Sequence, residues 1–184
     1  MTRSRLPLLL AGGLLLTACQ VRVQSDSPAP RQLTAQLSDA QGSPIGIATL
    51  TEATGGVRLV VDAQGLTPGD HGIHVHDRGV CTGPDFTSAG MHYNPTERHH
   101  GLDNPLGPHA GDFPDLEVGA DGHAHYDVVN TSLRLSGPGA VKADSASIVI
   151  HAQRDDQMSD PSGTSGARIA CGVLTTGGGR RRVP

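Results

Sequence analysis

Seven side chains in this chain have types and spacings that suit metal ions. They are His74, His76, His92, His100, His109, Asp112 and His151. Imidazole nitrogens and carboxylate oxygens are common ligands of zinc and copper. The set divides into a His-x-His pair with a distant histidine, and a cluster within one long segment. The sequence therefore predicts two neighbouring sites for two different metal ions.

The first predicted site depends on strand geometry. Successive side chains of a strand point to opposite faces, so His74 and His76 are expected to project together while Ile73 faces the core. His151 ends the run 147–150 and reaches the same face if its strand neighbours theirs. Imidazoles in a distorted square suit copper(II). Because the chain has ten histidines, an isolated His-x-His pair would be a weak signal.

The second predicted site lies within one long segment, at about residues 78–114. His92, His100, His109 and Asp112 supply three nitrogens and one oxygen. Four such ligands form a closed tetrahedral zinc site, which is structural because no position stays open for substrate. The segment is rich in glycine and proline and poor in apolar residues, so zinc is expected to order it. A solvated histidine-rich loop is the alternative.

The local patterns predict strands. Short runs of period two are separated by glycine, proline and aspartate, at 33–37, 45–47, 57–61, 73–75, 116–118, 126–128, 148–150 and 169–173. No stretch predicts an amphipathic helix. We therefore expect an all-β fold, an eight-stranded antiparallel Greek-key β-sandwich or barrel. Two long loops, at about 78–114 and 155–167, are expected to carry function.

The two ends of the chain are predicted to lie outside this domain. Residues 1–18 have the form of an exported leader, and Leu-Thr-Ala before Cys19 resembles a bacterial lipobox, which implies a lipid on Cys19. An ordinary signal peptide is the alternative. Residues 19–32 predict a flexible tether, 33–175 the folded domain, and 176–184 a disordered basic tail. That tail is either solvated or in contact with anionic lipid or sugar phosphate.

Export places the chain where disulfides persist. With Cys19 assigned to lipid, Cys81 and Cys171 are left and are expected to bridge, with free thiols or metal ligation as the alternative. The formal charge is −4, and it becomes −6 once Arg3 and Arg5 are removed with the leader. An acidic chain of this kind is not expected to bind nucleic acid.

Six blocks of the sequence together resemble the copper/zinc superoxide dismutase family, and its bacterial envelope branch in particular. They are Gly-Ile-His-Val-His at 72–76, Ser-Ala-Gly-Met-His-Tyr-Asn-Pro at 88–95, His-Gly-Leu at 100–102, Gly-Pro-His-Ala-Gly-Asp-Phe-Pro-Asp at 107–115, His-Ala-Gln-Arg-Asp-Asp at 151–156 and Gly-Ala-Arg-Ile-Ala-Cys-Gly-Val at 166–173. The resemblance covers roughly residues 33–175 in the family's order.

The resemblance implies a ligand set for each metal. Copper would be held by His74, His76, His92 and His151, and zinc by His92, His100, His109 and Asp112. His92 would bind both metals, which requires the loss of both ring protons. Asp155 matches a carboxylate that links a copper-ligand imidazole to a zinc-ligand imidazole, and Arg168 matches the arginine beside the copper. His99 could replace His100 by a shift of one residue, but the family pattern of histidine followed by glycine favours His100.

The resemblance also implies an activity, that of a superoxide dismutase. Such an enzyme converts two superoxide anions into oxygen and hydrogen peroxide by alternate reduction and oxidation of copper, with Arg168 and His92 in catalytic roles. The expected location is the cell envelope, on a membrane through Cys19, facing the periplasm or the exterior; a homodimer is a possible assembly. A copper-binding module and a structural lipoprotein are the alternatives. His71, His99, His123 and His125 have no assigned role.

Overall fold

The computed structural model describes residues 31–177. Ten strands lie in this part of the chain: β1 (Gln32–Asp39), β2 (Pro44–Ala53), β3 (Gly56–Ala63), β4 (Gly69–His71), β5 (Ile73–His76), β6 (Leu116–Val118), β7 (Ala124–Asn130), β8 (Ser147–His151), β9 (Arg168–Val173) and β10 (Thr175–Thr176). The helical structure within these residues is one 3₁₀ turn, Thr87–Ala89. No helix in the described range is long and apolar enough to cross a membrane.

All the strand pairs are antiparallel, and they form a large curled sheet and a two-stranded sheet that adjoins it. The main sheet has the order β5-β8-β9-β1-β2-β3-β7, with β10 also paired to β1. A two-stranded sheet, β4-β6, continues it because only Gly72 separates β4 from β5. Contacts between β6 and β7 then bring the two ends of the sheet together. The predicted all-β antiparallel fold is confirmed.

The alternation of side chains explains which face of each strand is buried. In β3, Val57, Leu59 and Val61 are fully buried, whereas Arg58 and Asp62 point outward. This period of two is what a half-buried strand requires. The core consists mainly of leucine, valine, isoleucine and alanine, with Phe113 as its largest fully buried side chain.

Each of the eight predicted runs lies within a strand. The short strands β4 and β10 were not predicted, because Gly69–His71 has no apolar residues to alternate and two residues, Thr175–Thr176, cannot display a period. β1 begins at Gln32 and β10 ends at Thr176, each one residue beyond the limits predicted for the domain. The predicted leader, with Cys19, most of the tether and most of the tail lie outside the described residues.

Two long segments without regular strands cover one side of the sheet. One connects β5 to β6 and the other connects β8 to β9, and they correspond to the two predicted loops. Every residue of β5 and β8 is buried, so these strands are covered on both faces. The core lies on one face, and the two loops with the histidine cluster lie on the other.

Candidate metal centre

Strand pairing brings four histidines together on the outer face of β5. His74 and His76 project from β5, and the pairing of β5 with β8 places His151 beside them. A backbone bridge between His76 and His92 adds a fourth imidazole from the first loop. One ring nitrogen from each of the four lies within 4.8 Å of the others. Four nitrogens that converge at this distance can surround a single ion.

A second set of ligand atoms surrounds the carboxylate of Asp112. Its Oδ1 lies 2.9 Å from Nδ1 of His92, 3.1 Å from Nδ1 of His100 and 3.3 Å from Nδ1 of His109. Four ligands about 2.0 Å from a tetrahedral zinc ion stand about 3.3 Å apart. The carboxylate and the three imidazoles therefore have the spacing of a zinc tetrahedron.

The two sets are contiguous and share His92. The tightest group around Asp112, with all ligand atoms within 4.8 Å of one another, contains His74, His92 and His100. His109 joins this group through its contact with Asp112. The rings of His74 and His92 stack with centroids 3.9 Å apart. His92 thus presents one ring nitrogen to each set.

Six buried ring nitrogens have no hydrogen-bond partner within residues 31–177. They are Nδ1 of His74, His100 and His109, and Nε2 of His76, His92 and His151. A buried polar atom without a partner is costly, and such atoms are rare in native proteins. Across the described residues, the other buried side-chain atom in this state is Oγ of Ser147. The six nitrogens point into the two ligand sets, so metal ions there would satisfy all of them at once.

In four of these rings, those of His74, His76, His100 and His151, the opposite nitrogen has a partner in the protein. Asp155 accepts from Nε2 of His74 at 2.6 Å and from Nε2 of His100 at 3.0 Å. Nδ1 of His76 lies 3.1 Å from the carbonyl of Gly90. Partners of this kind set both the tautomer and the orientation of an imidazole ligand. Asp155 does so for one histidine of each set and links the two sets directly.

Burial keeps the histidines of the first set neutral. It lowers the pKa of His74 and of His76 well below the usual value, and the nearby His92 lowers both further. Burial likewise lowers the pKa of His151 to about 4. A neutral imidazole has a lone pair to give to a metal, so these side chains are ready to bind copper at neutral pH.

Two carboxylates, Asp112 in the second set and Asp155 beside it, favour the charged form of His100. Burial disfavours a charged His100, but the hydrogen bond to Asp155 and the nearby negative charge of Asp112 and Asp155 outweigh it and raise the pKa of His100 to about 9. Burial also favours neutral carboxyl groups, yet the imidazoles around them hold the pKa of Asp112 and of Asp155 below the usual range. Both carboxylates are therefore charged at neutral pH.

Arg168 begins β9 and lies beside the first set. Its Nη1 donates to the carbonyl of Phe86 at 2.7 Å, and its Nη2 donates to the carbonyl of Gly90 at 2.6 Å. The Gly90 carbonyl also accepts from His76, so the guanidinium and a histidine of the cluster share one anchor. Burial lowers the pKa of Arg168, whereas the charges of Asp85 and Asp77 raise it. The result is a fixed positive charge beside the histidines, with two carboxylates near it.

The predicted disulfide is present between Cys81 and Cys171. It joins the first loop to β9, three residues beyond Arg168. Phe86, Ala89 and Val149 pack around Cys171 in a small apolar cluster separate from the main core. The bridge therefore fixes the loop that supplies both carbonyl partners of Arg168.

The structure brings every predicted metal-site residue into this centre, together with Arg168 and Asp155. The four remaining histidines lie apart from the ligand sets. His71 is buried, with Nδ1 at 2.7 Å from the carbonyl of His151. His99 is exposed and pairs with Asp160, so it is His100 that faces Asp112. His123 and His125 are exposed at the start of β7.

Three residues of the centre were not found from the sequence. Asp115 accepts the backbone N–H of Asp155 at 2.9 Å. Asn130 donates to the carbonyl of Asp112 at 2.9 Å. Gly163 leaves space for the carboxylate of Asp155, because a Cβ there would lie 1.7 Å from its Oδ1. No local pattern marks these positions, since each acts on a residue distant in the chain.

The curled antiparallel sheet, the two ligand sets with a shared histidine and the adjacent arginine define a protein with a two-metal centre. The family model described as copper/zinc superoxide dismutase matches residues 45–174. The chain belongs to this family. It is an oxidoreductase whose cofactors are copper and zinc, and the predicted enzyme class is confirmed.

Similar proteins come from several bacteria. The chain is 42% identical over 146 residues to the copper/zinc superoxide dismutase of Caulobacter vibrioides, covering 77% of this chain and 84% of the relative. It is also 42% identical over 146 residues to the superoxide dismutase-like protein YojM of Bacillus subtilis, covering 76% and 74%. The copper/zinc superoxide dismutase structure from Brucella abortus has a TM-score of 0.66 at 34% identity, covering 77% of this chain and 98% of that one.

Proposed function

We propose that the protein is a lipid-anchored superoxide dismutase of the cell envelope, with copper held by His74, His76, His92 and His151 and zinc by His92, His100, His109 and Asp112. The observation that carries the ligand assignment is the set of six unpaired ring nitrogens. For His74, His76, His100 and His151 the opposite nitrogen has a protein partner, which sets the tautomer and leaves the unpaired nitrogen for a metal. If these rings served only to fill the interior, six buried nitrogens would stay without hydrogen-bond partners, which is rare in native proteins.

When bound, copper supplies the electron chemistry, accepting one electron from a first superoxide and giving one to a second, so that oxygen and hydrogen peroxide are formed. The protein supplies protons and position. His92 has its Nε2 in the copper set and its Nδ1 beside Asp112. His92 would hold copper through Nε2, and the same nitrogen could carry one of the two protons that hydrogen peroxide needs, with the other coming from water. The contact of Nδ1 with Asp112 keeps the ring in one orientation.

Arg168 is the residue proposed to receive the anion. Its guanidinium is held by the carbonyls of Phe86 and Gly90, so the charge is oriented before superoxide arrives. Superoxide dismutase is itself the well-known example of electrostatic steering of a small anion. The segment 156–166 contains neither lysine nor arginine, and Arg154, earlier in the same loop, pairs with Asp115, so Arg168 is the main candidate for this role.

Superoxide turnover tests the enzymatic part of the proposal. The purified chain, loaded with copper and zinc, is compared with a His151→Ala variant, and the metal content of both is determined. The variant is expected to keep zinc but to lose copper affinity and turnover by more than about a hundredfold, since a ligand contributes more than the groups that orient it. A Gln41→Ala variant, which removes an exposed side chain from the turn between β1 and β2, serves as the control and should keep full activity and metal content.

Full occupancy by both metals without turnover would contradict a dismutase and favour a copper-binding module. The distinction matters because one relative, YojM, is described as superoxide dismutase-like. Arg168 and the complete histidine set favour the enzyme, because a module that only stores copper has no need of an oriented cation beside the site.

The proposed location rests on the leader-like segment before Cys19 and on the Cys81–Cys171 disulfide, which suits an oxidising compartment. Expression with labelled palmitate should label the wild-type chain in the membrane fraction. A Cys19→Ser variant should lose both the label and the membrane association. Cleavage of the leader without any label would indicate an ordinary signal peptide and would exclude the anchor.

A further inference from the structure

Two histidines outside the metal centre lie together on the outer surface of the sheet. His123 precedes β7 and His125 is its second residue, and both side chains are exposed. Ala124 and Tyr126, which alternate with them, are buried. The alternation of exposed and buried residues continues one residue before β7, so the two imidazoles project toward the same side at the start of this strand. They take no part in the copper and zinc sets.

The neighbouring strand places a carboxylate behind one of these rings. The register of β3 against β7 sets Asp62 directly opposite His125. Asp62 Oδ1 lies 2.6 Å from Nδ1 of His125. A carboxylate on one ring nitrogen fixes the imidazole and leaves the other nitrogen to bind a metal. Asp155 orients His74 in the buried centre by the same kind of contact.

The spacing of the two histidines matches a pair that already converges in this protein. His74 and His76 are also two residues apart on a strand, and their ring nitrogens lie within 4.8 Å of each other. His123 and His125 have the same offset in the sequence, with His123 immediately before β7 and His125 within it. Two imidazoles at this offset can chelate one ion, while water completes the coordination at an exposed position.

The surroundings of the pair favour a cation. His123, His125 and Asp62 line a surface depression of about 820 Å³, together with Asp121 and neighbouring residues of β2 and β3. Asp121 Oδ1 accepts the backbone N–H of His123 at 3.1 Å, so a second carboxylate lies near that histidine. No lysine or arginine is among the residues that line the depression. The charged residues that line the depression are thus the acidic Asp62 and Asp121, and the nearby Arg58 is paired with Asp127.

We infer that His123 and His125, with Asp62 as the orienting carboxylate, form a surface site for a divalent transition metal that is separate from the copper and zinc centre. Copper(II) is the ion expected to bind most tightly, because imidazole suits it and it heads the affinity series of divalent first-row metals. Zinc(II) should bind the same site more weakly. The inference does not depend on dismutase activity, since none of its three residues contacts the metal centre.

The test uses the full chain with its copper and zinc centre already filled and free metal removed. Copper(II) is then added in steps, and electron paramagnetic resonance is recorded beside isothermal titration. One additional copper(II) per chain is expected, with a spectrum distinct from that of the filled centre. His123→Gln and His125→Gln should each remove it, and Asp62→Asn should weaken it by about ten- to a hundredfold.

Asp70→Asn is the matched control for the change in charge. Asp70 is an exposed carboxylate on β4, so this variant loses the same charge but should keep the additional ion. Absence of an additional copper(II) in the wild-type chain would overturn the inference. An additional ion that persists in both histidine variants would also overturn it, since the copper would then be bound elsewhere, for example near the chain termini. If the Asp62→Asn variant bound the additional copper(II) as tightly as the wild type, the orienting role of Asp62 would be wrong.

Discussion

A single carboxylate, that of Asp155, is hydrogen-bonded to a histidine of each ligand set. Each of its oxygens accepts from one imidazole N–H, Oδ2 from His74 and Oδ1 from His100. Its own backbone N–H is fixed by Asp115. The orientation of both sets is thus coupled through a residue that belongs to neither of them.

Replacement of Asp155 by asparagine tests this coupling. The amide keeps the shape but has one acceptor oxygen, so one imidazole N–H would face an amide N–H instead of an acceptor. We expect zinc affinity to fall by about ten- to a hundredfold, the usual cost of removing a group that orients a ligand. Competition with a chelator, read by metal analysis, measures it. Zinc affinity equal to that of the wild type would contradict the role of Asp155.

The exposed carboxylate of Asp85 is expected to oppose the attraction of superoxide to Arg168. It is close enough to act on the charge of the guanidinium. Asp85→Asn should therefore raise kcat/KM for superoxide at low ionic strength, by at most a few fold. The gain should vanish as salt increases, because at about 1 M the screening length is only about 3 Å. Pulse radiolysis across a salt series measures both effects.

Asp127→Asn is the control for Asp85→Asn. It makes the same change in net charge on β7, where Asp127 pairs with Arg58 and is not among the carboxylates whose charge acts on Arg168. This variant should leave the rate for superoxide unchanged at every salt concentration. An equal gain in both variants would show that only net charge matters and would remove Asp85 from the steering of superoxide.

Among the larger elements, the loop between β8 and β9 shows how backbone shape serves the site. Gly163 has φ +62, and a Cβ there would lie 1.7 Å from Oδ1 of Asp155 and 2.7 Å from Nε2 of His100. Glycine is thus required twice, once for the left-handed backbone and once for space. The loop wraps the bridging carboxylate only because this position has no side chain.

Gly163→Ala is expected to displace Asp155 and to release zinc. The left-handed backbone alone costs about 1–2 kcal/mol of unfolding free energy, and the clash adds to it. Urea unfolding and zinc content measure the two effects. Gly137→Ala is the matched control, because Gly137 has φ +78 but no atom within 4 Å of an added Cβ. It should show the backbone cost with normal zinc content, and equal zinc loss in both variants would contradict the steric role of Gly163.

The strands and the ligand types were predictable because both have local signals. Alternating apolar residues mark β1 and β3, and His-x-His marks β5. The sequence did not predict β4, whose residues Gly69–His71 are polar and few, although its pairing with β6 closes the sheet. Gly163 and Asp115 were also not predicted. Both act on Asp155, Gly163 from the same loop and Asp115 from the other one. Long-range contacts of this kind have no period or motif.

Over the molecule as a whole, the core and the metal centre are held by different interactions. The sheet is stabilised by burial of aliphatic side chains, whereas the two loops have few of these. The Cys81–Cys171 disulfide joins two positions 90 residues apart and ties the first loop to β9. Closing so large a loop in the unfolded chain removes much of its entropy, so the disulfide is expected to contribute about 2–4 kcal/mol to stability.

The double variant Cys81→Ser with Cys171→Ser should therefore lose both stability and activity. The unfolding free energy should fall by about 2–4 kcal/mol. Turnover should also fall at full metal occupancy, because the segment after Cys81 supplies the carbonyls of Phe86 and Gly90 that hold Arg168. Urea unfolding, metal analysis and superoxide turnover separate the effects. An Arg168→Lys variant, with the disulfide intact, should lose activity with little loss of stability. If the cysteine variant lost stability but kept full turnover, the hydrogen bonds from Arg168 to Phe86 and Gly90 would not depend on the disulfide.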